Sequence, residues 1–287
     1  MKTLPVMFLS ICWIAFGPTP SQAKDSPGSA EADPSMKLAF ALISGSGRDR
    51  LVLAEDDSAD PAYATGWKSE GGGTGFGNWT FQTAVAGNGE TFAGFFIGNR
   101  DSNSDMARAA IRSKAFGLFA NGIGFEVATA FRPLKKPLMA GQTFSFLMKH
   151  GPFEKKSDAD DTASASIGLT LRNGNASGGI DDYNKGVRFE FGCYVDQKNY
   201  QIYDGGSEHD TGIPLTDAGL SVSLTMVTAD TYDLEITTLA DKKTITLEGR
   251  KLGGDAGGKI ESFCIFDRNG EKNDGFFNGF QVLGEVK

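Results

Sequence analysis

The sequence has few of the residues from which catalytic and metal sites are most often built. Only 2 of its 287 residues are His and 3 are Cys, which leaves little for zinc binding or His-based catalysis. The patterns HExxH, GxSxG and GxxxxGK[ST] are absent. Basic residues are outnumbered, 28 Lys and Arg against 36 Asp and Glu, whereas proteins that neutralise nucleic-acid phosphates need clustered positive charge. We therefore expect no nucleic-acid partner.

No hydrophobic run reaches the ~20 residues needed to cross a membrane. The longest, Leu4 to Phe16, spans about 13 residues, and a segment of that length fits the apolar part of a secretory signal. It follows Lys2 and precedes the small-residue ending Ser21-Gln22-Ala23. We expect residues 1–23 to be removed, so that a mature chain with no transmembrane segment begins at Lys24 outside the cytoplasm.

Removal of the signal would take Cys12 away and leave Cys193 and Cys264 as a pair. In an oxidising compartment two cysteines are more often bridged than reactive. A bridge here would close a loop of about 70 residues and stabilise the fold by about 4 kcal/mol in the chain-entropy model. Both cysteines lie in apolar strand patterns, so the alternative is a pair of buried thiols.

Glycine and phenylalanine, in contrast, are abundant, with 38 Gly and 22 Phe. Glycine at roughly double its usual share, without a collagen period, favours a turn-rich β protein over long helices. Residues 24–48 begin with a stretch rich in Ser, Pro, Ala and acidic residues, which predicts a flexible segment. Residues 49–287 alternate short apolar patterns with Gly, Asn and Asp, which predicts one domain of strands and turns.

The alternation is strict in stretches such as Ser164 to Arg172 and Leu220 to Met226, where every second residue is apolar. A period of two is typical of antiparallel strands with one packed and one solvated face. About 13 such segments predict an all-β, two-sheet antiparallel sandwich of the jelly-roll type. We expect residues 220–249 to form a three-stranded meander and the last strand, Phe276 to Leu283, to lie beside the first, Leu51 to Glu55.

Several stretches of the sequence carry a resemblance to known proteins, namely Asp57 to Trp67, Gly71 to Trp79, Arg188 to Phe191, Asn199 to Gly205 and Thr228 to Tyr232. They resemble secreted bacterial β-sandwich domains of the concanavalin A-like lectin and glucanase superfamily. The resemblance covers most of residues 50–284. It implies a concanavalin A-like fold, an extracellular or periplasmic bacterial location and a glycan or polysaccharide partner. The subfamily it points to has no established activity and supplies no catalytic residue.

Enzyme activity is disfavoured because the superfamily's retaining-glucanase signature, Glu-x-Asp-x-x-Glu, does not occur. Paired carboxylates from separate strands leave no local motif, so an extracellular polysaccharide hydrolase or lyase stays open as an alternative. Its candidate acid or nucleophile is Glu190. His150 and His209 are far apart in the sequence, and we interpret both as surface residues rather than catalytic bases.

The best candidate ligand site lies on a predicted hairpin over residues 187–204. With its turn at Gln197-Lys198, one face is apolar. The other presents a platform that suits a sugar ring, because aromatic rings contact apolar C–H faces while polar groups bond the hydroxyls. The alternative is an ordinary solvated sheet face with cross-strand pairs. The residues of this platform are Arg188, Glu190, Tyr194, Gln201 and Tyr203, beside Gly192.

Trp67, Trp79 and Tyr63 suggest a second ligand site near the Gly-rich stretch Gly71 to Gly77, because glycines let a loop approach a ligand closely. The alternative is that these aromatic side chains close one end of the sandwich.

Two acidic stretches raise the possibility of calcium as a cofactor. Neither has the glycine and glutamate spacing of an EF-hand loop, and Asp and Asn also favour turns without any metal. The oxygen-bearing residues are Asp101, Asn103 and Asp105 in one stretch and Asp267, Asn269, Asn273 and Asp274 in the other.

The leading hypothesis is a secreted, non-catalytic carbohydrate-binding, lectin-like or cell-surface module. It rests on the sandwich pattern, the aromatic and polar hairpin face and the missing catalytic motifs. The alternatives are the polysaccharide hydrolase or lyase and a structural matrix or adhesion protein.

Overall fold

The structure is a computed structural model, and it describes residues 50–86, 92–102, 106, 111–121, 125–151, 165–174, 186–205, 207–269 and 273–285. Within these ranges the chain forms fifteen strands and one 3-10 helix, Pro61–Tyr63. The predicted signal and flexible segment lie outside them. The strands are β1 (Arg50–Asp56), β2 (Thr80–Ala86), β3 (Ala93–Asn99), β4 (Lys114–Ala120), β5 (Phe125–Leu138), β6 (Thr143–His150), β7 (Ser166–Arg172), β8 (Val187–Tyr194), β9 (Asn199–Asp204), β10 (Ser207–Pro214), β11 (Leu220–Met226), β12 (Thr231–Thr238), β13 (Thr244–Lys251), β14 (Ile260–Arg268) and β15 (Gly275–Glu285).

The strands form two antiparallel sheets, which confirms the predicted sandwich with slightly more strands than the pattern indicated. One sheet has the order β13-β12-β11-β6-β15-β4-β3, with β1 paired to β15, and the other has the order β10-β9-β8-β7-β14-β5-β2. Strands β11, β12 and β13 make the predicted meander. The first and last strands pair from Arg50 with Glu285 to Asp56 with Phe280, also as predicted.

The core lies between the sheets because each strand turns every second side chain inward. From β6, Phe144 and Phe146 meet the opposite sheet, where their ring centroids lie 5.2 Å from Phe263 and 6.3 Å from Phe191. All four rings are almost completely buried. Burying one such side chain stabilises a fold by about 1.5–3 kcal/mol, so phenylalanine serves mainly the core.

The seven-stranded sheet also has an outer face, turned away from this core, and the candidate ligand residues lie there. Directly paired residues form a row across it, since side chains opposite one another point the same way. Parts of this face are polar and yet buried, such as Thr170 on β7. The row runs through Phe131, Cys264, Thr170, Glu190, Tyr203 and Glu208.

Candidate functional site

The predicted hairpin exists as β8 and β9, but its register differs from the prediction by two residues. Glu190 pairs with Tyr203 and Gly192 with Gln201. The turn begins earlier than predicted, because Gln197 N–H donates to the Tyr194 carbonyl at 3.2 Å and Asp196 adopts a left-handed conformation with φ 69°. A shift of two residues keeps every side chain on its predicted face, since strand side chains alternate.

Two half-buried tyrosines form the centre of the outer-face site. Tyr194 and Tyr203 pack edge to face, with ring centroids 5.1 Å apart and an interplanar angle of 69°. The Tyr194 hydroxyl donates to Glu190 Oε1, and Tyr203 hydrogen-bonds Glu208 on β10. Burial, followed by Glu208 and Glu190, raises the pKa of Tyr203 to about 12, so this phenol stays protonated at neutral pH. We call Glu190, Tyr194, Tyr203 and Glu208 the tyrosine cluster.

A bare strip of backbone lies beside the tyrosine cluster. Gly192 on β8 pairs with Gly168 on β7. A Cβ atom at Gly192 would lie 2.7 Å from the Ile167 carbonyl oxygen, and one at Gly168 would lie 2.4 Å from that of Phe191. Real Cβ atoms do not approach so closely, so both positions require glycine. Both glycines are buried, and the Phe266 ring lies close to Gly168, so they allow a close approach of β7 and β8 beside the tyrosine rings.

Of the other residues predicted for this site, Gln201 lies close to the cluster. Its side chain is buried, its Nε2 donates to the Asn199 carbonyl at 3.0 Å, and it hydrogen-bonds Asp210. Gln201 therefore supports the site from within the sheet instead of presenting its amide to solvent.

Arg188 does not join the cluster, so its predicted role in ligand binding is not supported. Its guanidinium donates to Asp230 Oδ1 in the connection between β11 and β12 and to the Asp255 carbonyl in the loop before β14, each at 2.8 Å. The side chain is 2% exposed. Arg188 thus fastens two connecting segments to the end of β8.

Strand β7 contributes two buried hydroxyls to the same face. Ser166 pairs with Tyr194 and Thr170 with Glu190. Both side chains are fully buried, and among the residues that the structure describes neither hydroxyl has a hydrogen-bond partner. Buried polar groups normally find partners, so these are two neutral hydrogen-bonding groups beside Glu190 and Tyr194, and Arg268 on β14 pairs with Ser166 from the other side.

The predicted second ligand site around Trp67 and Trp79 is wrong. Both indoles lie in the sandwich core, 8% and 2% exposed, packed edge to face at 4.9 Å. They are core residues instead, and both contact Phe116. The tryptophans follow no alternating pattern, so the sequence alone does not tell which way they point.

The Gly-rich loop is held down by what we call the Arg132 network, which consists of Asp56, Tyr63, Trp79 and Arg132. Arg132 Nη1 pairs with Asp56 Oδ2, and its Nη2 donates to the Gly72 carbonyl at 2.7 Å. Tyr63 donates to Asp56 at 2.7 Å and accepts from Trp79 Nε1 at 3.1 Å. The guanidinium lies 4.8 Å from the Trp79 ring centroid. Every charge here is satisfied internally.

The prediction that both histidines lie at the surface fails for His150, which is buried between the sheets. Its Nε2 shares a hydrogen bond of 2.8 Å with the Tyr200 hydroxyl, and that hydroxyl also accepts from the Thr216 N–H at 3.4 Å. Burial lowers the pKa of His150 to about 4, so the imidazole is neutral. His209 on β10 is half-buried.

The predicted disulfide between Cys193 and Cys264 is absent, and both cysteines are buried thiols. They lie on β8 and β14, which are separated by β7, and Cys193 belongs to the core whereas Cys264 lies on the outer face. Side chains on opposite faces and two strands apart cannot reach each other. Burial raises the pKa of both thiols.

The first calcium prediction is only partly covered by the structure. Asp101 is an exposed turn residue whose N–H donates to Asn99 Oδ1 at 3.0 Å. Asn103 and Asp105 lie outside the described residues, so this site stays a prediction.

The residues of the second calcium prediction are used to tie strands together. Asn269 Oδ1 accepts from the Glu126 N–H at 2.6 Å, and Asp267 Oδ2 accepts from the Gly275 N–H at 3.2 Å. No group of three or more His, Cys, Asp and Glu in the described part of the chain could hold a metal ion. The second set, which also included Asn273 and Asp274, therefore gains no support as a calcium site.

Glu208 and Asp210 on β10 belong to the site but were not predicted. They pair with Tyr203 and Gln201, respectively, and both are exposed. A signal was available: Gly205-Gly206 follows β9 directly, and a two-glycine turn predicts a hairpin whose next strand returns alongside.

The comparisons with known proteins give weak structural similarity. No family model and no curated protein matches the chain. The Ca2+-bound VIP36 exoplasmic/lumenal domain is 9% identical with a TM-score of 0.41, covering 73% of this chain and 84% of its own. Endo-beta-1,4-glucuronan lyase from the fungus Trichoderma reesei is 9% identical with a TM-score of 0.41, covering 82% and 96%. The Emp46p carbohydrate recognition domain is 10% identical with a TM-score of 0.39, covering 73% and 89%.

Because these likenesses are weak, the function of this chain has to be inferred from its own side chains.

The part of the chain that the structure describes contains no helix with the length and apolar character needed to span a membrane.

Proposed function

We propose that the protein is a secreted glycan-binding module whose contact surface is the tyrosine cluster. The observation that carries the proposal is the half-buried pair of Tyr194 and Tyr203, edged by Glu190 and Glu208, on the outer face of the seven-stranded sheet. This arrangement combines two aromatic rings with two carboxylates on a surface that the core does not use.

The chemistry of a sugar ring matches this surface. A pyranose has apolar C–H faces and a rim of hydroxyls, so it binds where aromatic rings and hydrogen-bonding groups converge. Tyr194 and Tyr203 supply the rings, and the carboxylates accept hydrogen bonds from hydroxyls.

The test is binding to a polysaccharide panel by affinity electrophoresis, with Tyr194→Ala and Tyr203→Ala as variants. We expect each variant to weaken retention by about tenfold or more, equivalent to about 1.4 kcal/mol. The control is Phe92→Ala, which removes an aromatic side chain that is 59% exposed elsewhere. Tyr203→Phe keeps the ring and should retain most of the affinity. The proposal would be overturned if both alanine variants were retained as strongly as the wild type.

A second candidate function is polysaccharide hydrolysis or lysis. The observation that favours it is that Glu190 and Glu208 lie on either side of Tyr203, since glycoside hydrolysis uses two carboxylates. In this case Glu190→Gln should abolish the release of reducing or unsaturated ends while leaving binding intact. Unchanged turnover would remove Glu190 from that role, and binding without any product from the wild type would favour the non-catalytic module.

Secretion is part of the proposal and is tested separately. Expression of the full chain in a bacterium should give an exported protein whose N-terminal residue is Lys24, as read by intact mass and N-terminal sequencing. Retention of the uncleaved chain in the cytoplasm would contradict it. Surface retention or self-association without any glycan would favour the structural matrix or adhesion alternative.

A further inference from the structure

Two exposed carboxylates lie beside the tyrosine cluster. Glu208 and Asp210 on β10 point to the same face as Tyr203 and Gln201, their partners in the register. Both are exposed, whereas Glu190 is half-buried and accepts from Tyr194. A ligand lying on the tyrosine rings would therefore meet negative charge along the β10 side.

Asp210 is held in its ionised form by groups around it. Gly212 N–H donates to its Oδ1 at 2.7 Å, and Asn199 Nδ2 donates to the same oxygen at 2.9 Å. These hydrogen bonds lower the pKa of Asp210, because they favour the charged form. The carboxylate is therefore a fixed feature of the surface at neutral pH.

Of the arginines on this face, Arg172 and Arg188 are buried and contact residues away from β10, and the half-buried Arg268 lies over the Phe266 ring. Arg172 is 1% exposed, and its guanidinium lies 5.3 Å from the Phe131 ring centroid. Arg188 is turned towards Asp230. Lys198 is exposed in the turn after Tyr194, so one ammonium stands against the two exposed carboxylates of β10.

From this arrangement we infer that the ligand is a neutral or amino-bearing glycan and that the site discriminates against polyuronates and sulfated glycans. The inference rests on the proposed function. Like charges repel a carboxylated chain as it approaches Glu208 and Asp210, whereas a protonated amino sugar is attracted. The two neutral hydroxyls of Ser166 and Thr170 are consistent with an uncharged ligand on the β7 side.

The test uses polymers with one backbone and different charge. Hydroxyethyl cellulose, carboxymethyl cellulose and glycol chitosan form one set, and methyl-esterified pectin with polygalacturonate forms a second. We expect the carboxylated member to bind at least about tenfold more weakly than its neutral parent at about 0.01 M salt, with most of the difference lost at about 1 M.

The double variant Glu208→Gln with Asp210→Asn should reduce the difference in binding affinity, the affinity gap, between neutral and carboxylated polymers. The matched control is Glu248→Gln, an exposed carboxylate on β13 of the other sheet, which should leave the gap unchanged. Thermal melting checks that each variant is folded. Equal or tighter binding of the carboxylated polymer by the wild type would overturn the charge assignment alone. Binding to no polymer of any charge would overturn both it and the proposed function.

Discussion

The Arg132 network and the tyrosine cluster use similar chemistry in opposite surroundings. In the network a carboxylate, a guanidinium, a phenol and an indole satisfy one another with almost no exposure. In the cluster two phenols and two carboxylates face out of the sandwich and are only partly buried. Residue type alone therefore does not distinguish a buried structural network from a binding surface. Exposure, and the partners that the chain itself provides, separate them.

The largest effect should come from breaking the interior network. Arg132→Ala leaves the Asp56 carboxylate buried without its cation, which costs about 3–5 kcal/mol of unfolding free energy. Urea denaturation measures the loss. Lys135→Ala, an exposed base on the same strand, should stay within about 0.5 kcal/mol of the wild type. Similar losses for the two variants would mean that the network is not a buried structural element.

Acid should act on a second interior group, His150. Its pKa of about 4 in the fold lies below the ordinary value of 6.5, so the unfolded chain binds more protons between these limits. Stability is then lost as the pH falls from about 6.5 to about 4, by up to about 3 kcal/mol. His150→Gln should remove this part of the pH dependence of the unfolding free energy. An unchanged pH profile in the variant would show that His150 titrates normally.

A smaller interior effect should follow from Trp79→Phe. The substitution removes the hydrogen bond from Nε1 to Tyr63 and leaves space in the core, which should cost about 1–2 kcal/mol. Glycan affinity of the folded variant should match the wild type in the same electrophoresis assay. A loss of glycan affinity with unchanged stability would show that Trp79 takes part in ligand binding.

The smallest stability effect should come from the cluster itself. Tyr203→Ala removes a half-buried ring from a surface, so we expect the unfolding free energy to change by less than about 1 kcal/mol. Affinity should fall in this variant, which is the reverse of the Trp79 result. A stability loss as large as that of Arg132→Ala would place Tyr203 among the structural residues.

Much of the fold could be predicted because alternation is a local property. The strands β7, β11 and β12 show every second residue apolar, and the period of two also placed Glu190, Tyr194 and Tyr203 on one face despite the register error. The meander followed from short connections. Two more strands than expected were found because less regular segments, such as β10, give no clear pattern.

The remaining features depend on contacts between residues far apart in the chain. His150 is buried because Tyr200 of the other sheet contacts it, and Trp79 is buried where Arg132 lies over its ring and Tyr63 accepts from its indole. The spacing of Cys193 and Cys264 does not reveal that β7 runs between their strands. Such neighbours are decided by strand order, which no local pattern records.

The two buried thiols have a practical consequence. Cys193 lies in the core and Cys264 on the outer face, with a single strand between theirs. Because a sealed, protonated thiol does not react with an alkylating reagent, modification at each position requires the surrounding structure to open. The native protein would be labelled over time, and the peptides that contain Cys193 and Cys264 would be measured by mass spectrometry. The two labelling rates would then compare how often the inner and outer sides of one sheet become accessible.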